Sequence, residues 1–178
     1  MNNEAPLAPE PPSPPPPPLR LTICAKREAC ELMRSSEYDA LISINDPSER
    51  PNFTWHHKKR EHHRRKFQAA LDTGLPEDEL PRPSLFLWFW DTLVEERDAP
   101  DIGHIRVIRA FAASLPFGSR LLIHCRMGIS RSTAAAIIVL KQCGMSGIAA
   151  TIEVLRLRPI AVPNTLMLEL ASRPASII

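Results

Sequence analysis

The sequence has no apolar segment long enough to span a bilayer, since its longest uninterrupted apolar run, residues 134–140, is far too short. It also has no apolar core of a secretion signal, because the first residues lead directly into prolines. Charge of one sign does not dominate either: 22 basic and 20 acidic side chains give a net charge of +2. We therefore expect a cytoplasmic protein without a membrane span and without a general affinity for nucleic acid.

Cysteine is also scarce, with four in 178 residues and no Cys-x-x-Cys pair. Such a set does not form the disulfide framework of a small secreted domain, so a reducing cytosol is the simplest setting. Three of these cysteines are candidates for a disulfide that would shield an oxidised Cys125: Cys24, Cys30 and Cys143.

Proline is abundant at one end of the chain. Residues 1–18 contain nine prolines and cannot bury a core, so we predict a proline-rich disordered tail; a docking ligand for an SH3-like partner is the alternative. Residues 19–178 are long enough for one domain with a substantial core, interrupted by a basic inserted excursion at about 51–82.

The excursion carries most of the local charge. Residues 55–68 contain six Lys/Arg, one Glu and four His. A solvated helix is the simplest interpretation. Two others remain open: an anionic partner, such as RNA, anionic lipid or phosphoprotein, at residues 54–68, and a metal site using His56 with His63. No cofactor or metal is expected for the domain itself.

Hydrophobic periodicity predicts the order of the elements. Alternation and apolar runs predict strands at 19–24, 38–44 and 83–90, the last one central and covered on both faces. Helices are predicted at 26–35, after Asp101, at 132–142, at 146–157 and at 165–171. In the helix at 146–157 we expect the inner face to consist of Ile148, Ile152 and Leu155. This order predicts an α/β fold with a central, mostly parallel sheet of about four to five strands flanked by helices.

The segment 120–133, RLLIHCRMGISRST, has the pattern of a buried strand, a short loop and a helix start. Amides at a helix N-terminus bind anions, and Gly128 lets the loop curl so that successive amides face one centre. Cys125 lies at the base of this ring, where the positive field favours its thiolate, a nucleophile for bound phosphate. Arg131 can hold two phosphate oxygens, and the Ser132 hydroxyl can hydrogen-bond the sulfur.

His124-Cys125, five residues and Arg131-Ser132 resemble the HC-x5-R-[ST] signature of the cysteine-dependent protein tyrosine and dual-specificity phosphatases. The resemblance implies their fold, phosphate monoester hydrolysis through a cysteinyl-phosphate, and a supporting role for His124 in orienting the loop. The loop as a whole looks most similar to small bacterial tyrosine-phosphatase-like proteins. The expected substrate-binding groups are the loop amides of Arg126, Met127, Gly128, Ile129 and Ser130.

The leaving group needs a proton, which a positioned carboxylic acid supplies. Asp91 follows an apolar strand and precedes Cys125 by 34 residues, much as the acid of the dual-specificity phosphatases does; Asp98 is the rival. Asn164 either braces the active-site loop, as the resemblance implies, or caps the last helix. The single tyrosine, Tyr38, and the lack of a phosphotyrosine-recognition loop speak against strict phosphotyrosine specificity.

The sequence thus predicts a phosphatase, most simply a protein tyrosine or dual-specificity phosphatase acting on a phosphorylated protein. Two alternatives remain. One is a catalytically weak phosphate-binding pseudophosphatase, and the other is the same chemistry on RNA 5′-phosphates or phosphoinositides.

Overall fold

The computed structural model describes residues 19–32, 37–50 and 83–174, apart from the side chain of Cys30. The predicted proline-rich tail at 1–18 and the basic excursion at 51–82, with its possible anionic-partner segment at 54–68, lie outside the described residues. The domain division therefore stays a prediction.

Four strands and five α-helices make up the described part of the chain. The strands are β1 (Arg20–Ala25), β2 (Ala40–Asn45), β3 (Ser84–Trp88) and β4 (Arg120–Cys125). The helices are α1 (Lys26–Leu32), α2 (Ile102–Ser114), α3 (Arg131–Gln142), α4 (Gly147–Leu157) and α5 (Thr165–Ser172), and a short 3-10 helix spans Pro47–Glu49. Asp101 caps α2 as expected, because its side chain accepts a hydrogen bond from the amide of His104.

The four strands form one parallel sheet in the order β1-β4-β2-β3. The expected α/β fold with a parallel sheet flanked by helices is confirmed. All four carboxyl ends lie at the same edge of the sheet, and β4, which ends at Cys125, has a neighbour on each side. In such sheets the carboxyl edge is where ligands bind, so the topology alone points to the loop after β4.

The expectation that β3 is a central strand is wrong. Within the described residues β3 pairs with β2 alone and forms the edge of the sheet. Its two faces differ, since Leu87 and the following Phe89 are buried whereas Phe86 and Trp90 are 47% and 40% exposed. An apolar run shows that a strand can be buried, but not how many strands lie beside it.

Helix α3 forms the centre of the core on one face of the sheet. Every residue from Arg131 to Leu140 is buried, and α2, α4 and α5 pack around the helix. The small side chains Ala134, Ala135 and Ala136 let these neighbours approach closely. As a result the amino end of α3 is held rigidly against the end of β4.

The predicted inner face of α4 is wrong. Ile148, Ile152 and Leu155 are 78%, 62% and 42% exposed, whereas the packed side of the helix carries Ala150 and Val154. The packed stripe contains the smaller residues, which allow a closer approach of α4 to the alanine-rich α3. No helix in the described ranges is both long and apolar enough to cross a membrane.

Candidate active site

The strand, loop and helix predicted around Cys125 are all present. Cys125 is the last residue of β4 and is 1% exposed, and Arg131 is the first residue of α3. The Ser132 hydroxyl oxygen lies 3.2 Å from the Cys125 sulfur, within hydrogen-bonding distance. The structure thus brings together Cys125, Arg131 and Ser132 at one end of a buried helix.

The carbonyl groups of the Cys125–Arg131 loop are turned away from its centre. Neighbouring segments hydrogen-bond five of them in succession. The carbonyl of Arg126 accepts from the amide of Lys26, those of Met127 and Gly128 from the Arg158 side chain, that of Ile129 from the amide of Val162, and that of Ser130 from the amide of Asn164.

In a trans peptide the C=O and the next N–H point in opposite directions. Outward carbonyls at residues 126–130 therefore turn the amides of residues 127–131 toward the centre of the loop, together with the amides of the α3 N-terminus, which have no intrahelical partner. These amides include four of the five expected ones, those of residues 127–130, and add that of Arg131; the arrangement is suited to bind an oxyanion.

Gly128 is required by the shape of the loop. Its φ of +69° lies in the left-handed region. A Cβ placed there would lie 2.5 Å from the carbonyl carbon of Cys24 and 2.6 Å from the amide nitrogen of Ala25. The loop therefore rests directly on the junction between β1 and α1, a contact that no side chain would permit.

Arg131 is held by one of its nitrogens. Its Nη1 donates to the carbonyl of Phe89 at 2.8 Å and lies 2.7 Å from Oδ1 of Asp46. Its Nε is buried and has no hydrogen-bond partner among the described residues. Asp91 Oδ2 lies 3.7 Å from that Nε, too far for a hydrogen bond. A buried guanidinium with an unused donor at the loop is what an anion-binding site needs.

Asp91, rather than its rival Asp98, lies at the loop. Its Oδ1 accepts hydrogen bonds from the hydroxyl of Ser130 at 2.6 Å and from Nδ2 of Asn164 at 2.9 Å. Asp98 is half-exposed, has a φ of +57°, and its carboxylate contacts Arg97. The carbonyl of Asp98 accepts from the amide of Trp90, so its role in the described structure is to close the turn that carries Asp91.

Asn164 has one of the two roles that the sequence left open, since it caps the last helix, and its side chain also contacts the turn after β3. Its Oδ1 caps α5 by accepting from the amide of Met167 at 3.0 Å. Its Nδ2 donates to Asp91 Oδ1 and to the carbonyl of Thr92, each at 2.9 Å. The side chain is 1% exposed. Asn164 thus ties the start of α5 to the turn after β3.

His124 is buried below the loop, on the opposite face of β4 from Cys125. Burial lowers the pKa of His124 from its ordinary value of 6.5, which favours the neutral imidazole. Its Nδ1 has no hydrogen-bond partner among the described residues. The structure gives this histidine a place in the framework and no contact that would make it a nucleophile.

Two functional residues were missed from the sequence: Asp46, which pairs with Arg131, and Arg158, which holds two loop carbonyls. Asp46 directly follows β2, and Asp91 comes three residues after the end of β3, so the rule that identified Asp91 would have identified Asp46 as well. Arg158 also lies 3.3 Å from the Glu28 carboxylate, and no local pattern announces either contact.

The described cysteines are not placed to bridge Cys125. Cys24 faces a small cluster with Ala29, Leu41 and Leu122, on the opposite face of the sheet. Cys143 follows the far end of α3, about 18 Å along the helix axis from the loop. The side chain of Cys30 lies outside the described residues.

Comparisons with known proteins give partial matches in sequence. No family model matches the chain. Mouse protein phosphatase Slingshot homolog 3 is 34% identical over 84 residues, which are 46% of this chain and 13% of the mouse protein. The match thus spans a small part of that relative's length.

Solved structures share the fold over most of the chain. Human DUSP28 is 18% identical with a TM-score of 0.51, over 85% of this chain and 87% of that chain. DUSP15 is 20% identical with a TM-score of 0.51, over 87% and 81%. The chain has the dual-specificity phosphatase fold. The fold that the HC-x5-R resemblance implied is therefore confirmed, and the narrower likeness to bacterial proteins stays a prediction.

Proposed function

We propose that the chain hydrolyses phosphate monoesters through a cysteinyl-phosphate intermediate, as a protein tyrosine or dual-specificity phosphatase. The observation that carries the proposal is the buried Nε of Arg131, which has no hydrogen-bond partner within the described ranges, beside a loop whose outward carbonyls turn its amides toward the loop centre. A site of this kind attracts a phosphate group and presents it to a nucleophile.

In the first step, the Cys125 thiolate attacks phosphorus. The S–P bond forms as the bond to the leaving oxygen breaks, and the loop amides and Arg131 hold the remaining oxygens as charge redistributes. Asp91 gives its proton to the leaving oxygen. The hydrogen bonds from Ser130 and Asn164 to Asp91 Oδ1 fix that carboxyl group over the loop, which suits it to this role.

In the second step, water attacks the cysteinyl-phosphate, and Asp91, now a carboxylate, accepts a proton from it. The S–P bond breaks and inorganic phosphate leaves. The Ser132 hydroxyl, 3.2 Å from the sulfur, can donate a hydrogen bond to the departing thiolate. The chain's own residues thus account for nucleophile, acid, base and anion stabilisation.

The proposal is tested by Cys125→Ser with p-nitrophenyl phosphate as substrate. We expect turnover to fall to the background rate, with Cys143→Ser, a half-buried cysteine away from the loop, unchanged. Full turnover by Cys125→Ser, or loss of turnover on addition of EDTA, would contradict the mechanism.

The acid is tested by Asp91→Asn with Asp98→Asn as the matched control. Asp91→Asn should slow an alkyl phosphate by about 10²–10⁴-fold and an aryl phosphate less, because an alkoxide is the poorer leaving group. Asp98→Asn should leave both rates close to wild type. Equally low rates for wild type and Asp91→Asn on both substrates would instead indicate a phosphate-binding protein without an effective acid.

The substrate is tested separately. A panel of phosphopeptides, RNA 5′-phosphates and phosphoinositides, assayed with the wild type and with the basic residues of 54–68 neutralised, would identify the preferred class. A loss confined to RNA or lipid would assign the basic segment to substrate binding, and an unchanged preference for phosphopeptides would support a protein phosphatase.

A further inference from the structure

Asp46 connects the end of β2 to two arginines of the Cys125–Arg131 loop. The residue is 8% exposed. Its Oδ1 lies 2.7 Å from Arg131 Nη1, and its Oδ2 lies 3.3 Å from Arg126 Nη1. One carboxylate therefore joins the first and last arginines of the loop to a neighbouring strand.

The position of Asp46 is itself fixed. Its amide donates to Oε2 of Glu49 at 3.3 Å, and its carbonyl accepts from the amide of Glu49 at 2.9 Å. Glu49 Oε1 in turn accepts from Lys26 Nζ at 2.8 Å, at the start of α1. Asp46 is thus tied to two elements and has little freedom to follow a moving arginine.

The contacts of Asp46 decide which part of Arg131 is available. Asp46 and the Phe89 carbonyl both engage Nη1, which fixes the plane of the guanidinium from one side. The Nε donor on another edge is left without a hydrogen-bond partner among the described residues. A planar guanidinium held in this way presents its remaining donors in a set direction, which is the condition for tight binding of a tetrahedral oxyanion.

We propose that Asp46 is a positioning residue for Arg131: it holds the guanidinium by Nη1 so that the Nε edge faces the phosphate group above Cys125. This inference rests on the proposed phosphatase function for its kinetic consequence. The geometric claim about Arg131 stands independently of turnover.

The simpler interpretation is that Asp46 only compensates the buried charge of Arg131. Three variants separate the two. Asp46→Asn keeps an acceptor oxygen and removes the charge. Asp46→Glu keeps the charge and displaces the carboxylate by one methylene, about 1.5 Å. Asp46→Ala removes both. Positioning predicts that Asn is tolerated and Glu is not, whereas charge compensation predicts the reverse.

The first measurement avoids catalysis altogether. The Cys125 thiolate displaces iodide from iodoacetate, which carries a negative charge, and from iodoacetamide, which does not. An anion-binding loop accelerates the reaction with iodoacetate selectively. The ratio of the two alkylation rates therefore reports whether the Arg131 guanidinium is oriented to bind an anion. We expect this ratio to fall about tenfold or more in Asp46→Ala and Asp46→Glu, and to stay within about threefold of wild type in Asp46→Asn.

The matched control is Asp39→Asn. Asp39 is at the opposite end of β2 and pairs with Arg120 instead of Arg131, so its ratio should equal that of wild type. If Asp46→Ala does not fold, Asp46→Glu and Asp46→Asn carry the test. A normal ratio in Asp46→Glu, or equal ratios in all Asp46 variants, would overturn the proposal.

The second measurement is kinetic. In Asp46→Glu we expect kcat/KM for p-nitrophenyl phosphate to fall about 10²-fold. In Asp46→Asn we expect most of this loss to be absent, because an acceptor oxygen for Arg131 remains. In an Arg131→Lys background, Asp46→Glu should add little further loss, because the group it positions is gone. An undiminished loss in that background would contradict positioning. If the wild type showed no turnover at all, the proposed function would fail while the alkylation ratio still tested Asp46.

Discussion

An aspartate flanks each end of β2 and pairs with an arginine: Asp39 with Arg120, the first residue of β4, and Asp46 with Arg131, the first residue of α3. The two pairs differ mainly in exposure. At the amino end, Asp39 binds Arg120 through both Nε and Nη2, with both side chains more than two-fifths exposed. At the carboxyl end, Asp46 binds Arg131 through Nη1 alone, with the arginine side chain 3% exposed.

The amino-end pair has the more complete geometry, yet it is the less consequential one. Exposed ion pairs contribute little because water solvates both partners when they separate. A buried arginine has no such alternative, so its orientation depends on the protein groups around it. The difference indicates that burial, more than contact number, decides which pair the molecule depends on.

The two glycines beside β4 show the same contrast between an open and a packed position. Substitution of the packed one gives the largest expected loss of stability and activity. Gly118 and Gly128, before and after β4, both have positive φ, but a Cβ at Gly118 would meet nothing within 4 Å. Gly118→Ala should lower the free energy of unfolding by about 1–2 kcal/mol, from backbone strain alone. Gly128→Ala adds a clash with the β1–α1 junction, so we expect a loss of about 2–5 kcal/mol and about 10²-fold in kcat/KM. Urea denaturation and turnover check both, and equal losses would contradict the close packing at the carboxyl end.

Helix caps provide the second comparison. Asn164 caps α5 and also holds Asp91, whereas Ser146 caps α4 by accepting from the amide of Ala149 and lies away from the loop. Each substitution by Ala should cost about 1 kcal/mol for the lost cap. Asn164→Ala should also reduce turnover of an alkyl phosphate by about tenfold, because Asp91 loses a donor that fixes it. Equal activity in the two variants, at matched stability loss, would remove Asn164 from the positioning of the acid.

His124, near the carboxyl end of β4, makes the free energy of unfolding depend on pH. Because burial lowers its pKa in the folded state, the unfolded chain takes up the proton first as pH falls below about 6.5, and the free energy of unfolding decreases. The contribution of one proton reaches at most about 1.4 kcal/mol per pH unit. In His124→Gln this part of the slope should disappear. The other histidines are present in both proteins and cancel in the difference, so parallel stability curves from pH 7 to 5 would contradict it.

Sequence was sufficient for the parts that depend on local chemistry. The strand, the loop and the helix around Cys125 were predictable because a buried strand, a glycine and a helix start each leave their own pattern. Asp91 was placed near the loop by the rule that parallel strands end at one edge. These predictions needed no knowledge of which elements touch.

The wrong predictions are those in which the sequence pattern does not specify the element that packs against it. The apolar residues of β3 and α4 were identified correctly, but alternation cannot tell an edge strand from a central one, nor which of two apolar helix stripes finds a neighbour. Asp46 stands between Asn45 and Pro47, a pattern typical of a turn that ends a strand. Its second property, the contact with Arg131 across 85 residues, depends on the strand order, which the sequence does not state.

The smallest expected effect lies at the amino end of β2. Hydrogen bonding to Asp39 raises the pKa of Arg120 above its ordinary value, but that pair faces water. Arg120→Ala should shift the midpoint of thermal unfolding by less than about 2 °C, and less still in 1 M salt, because screening weakens an exposed pair. Phosphatase activity should be unchanged. A large loss of activity in Arg120→Ala would mean that the two ends of β2 are coupled, and the contrast between the exposed and the buried pair would no longer explain where the site depends on its arginine.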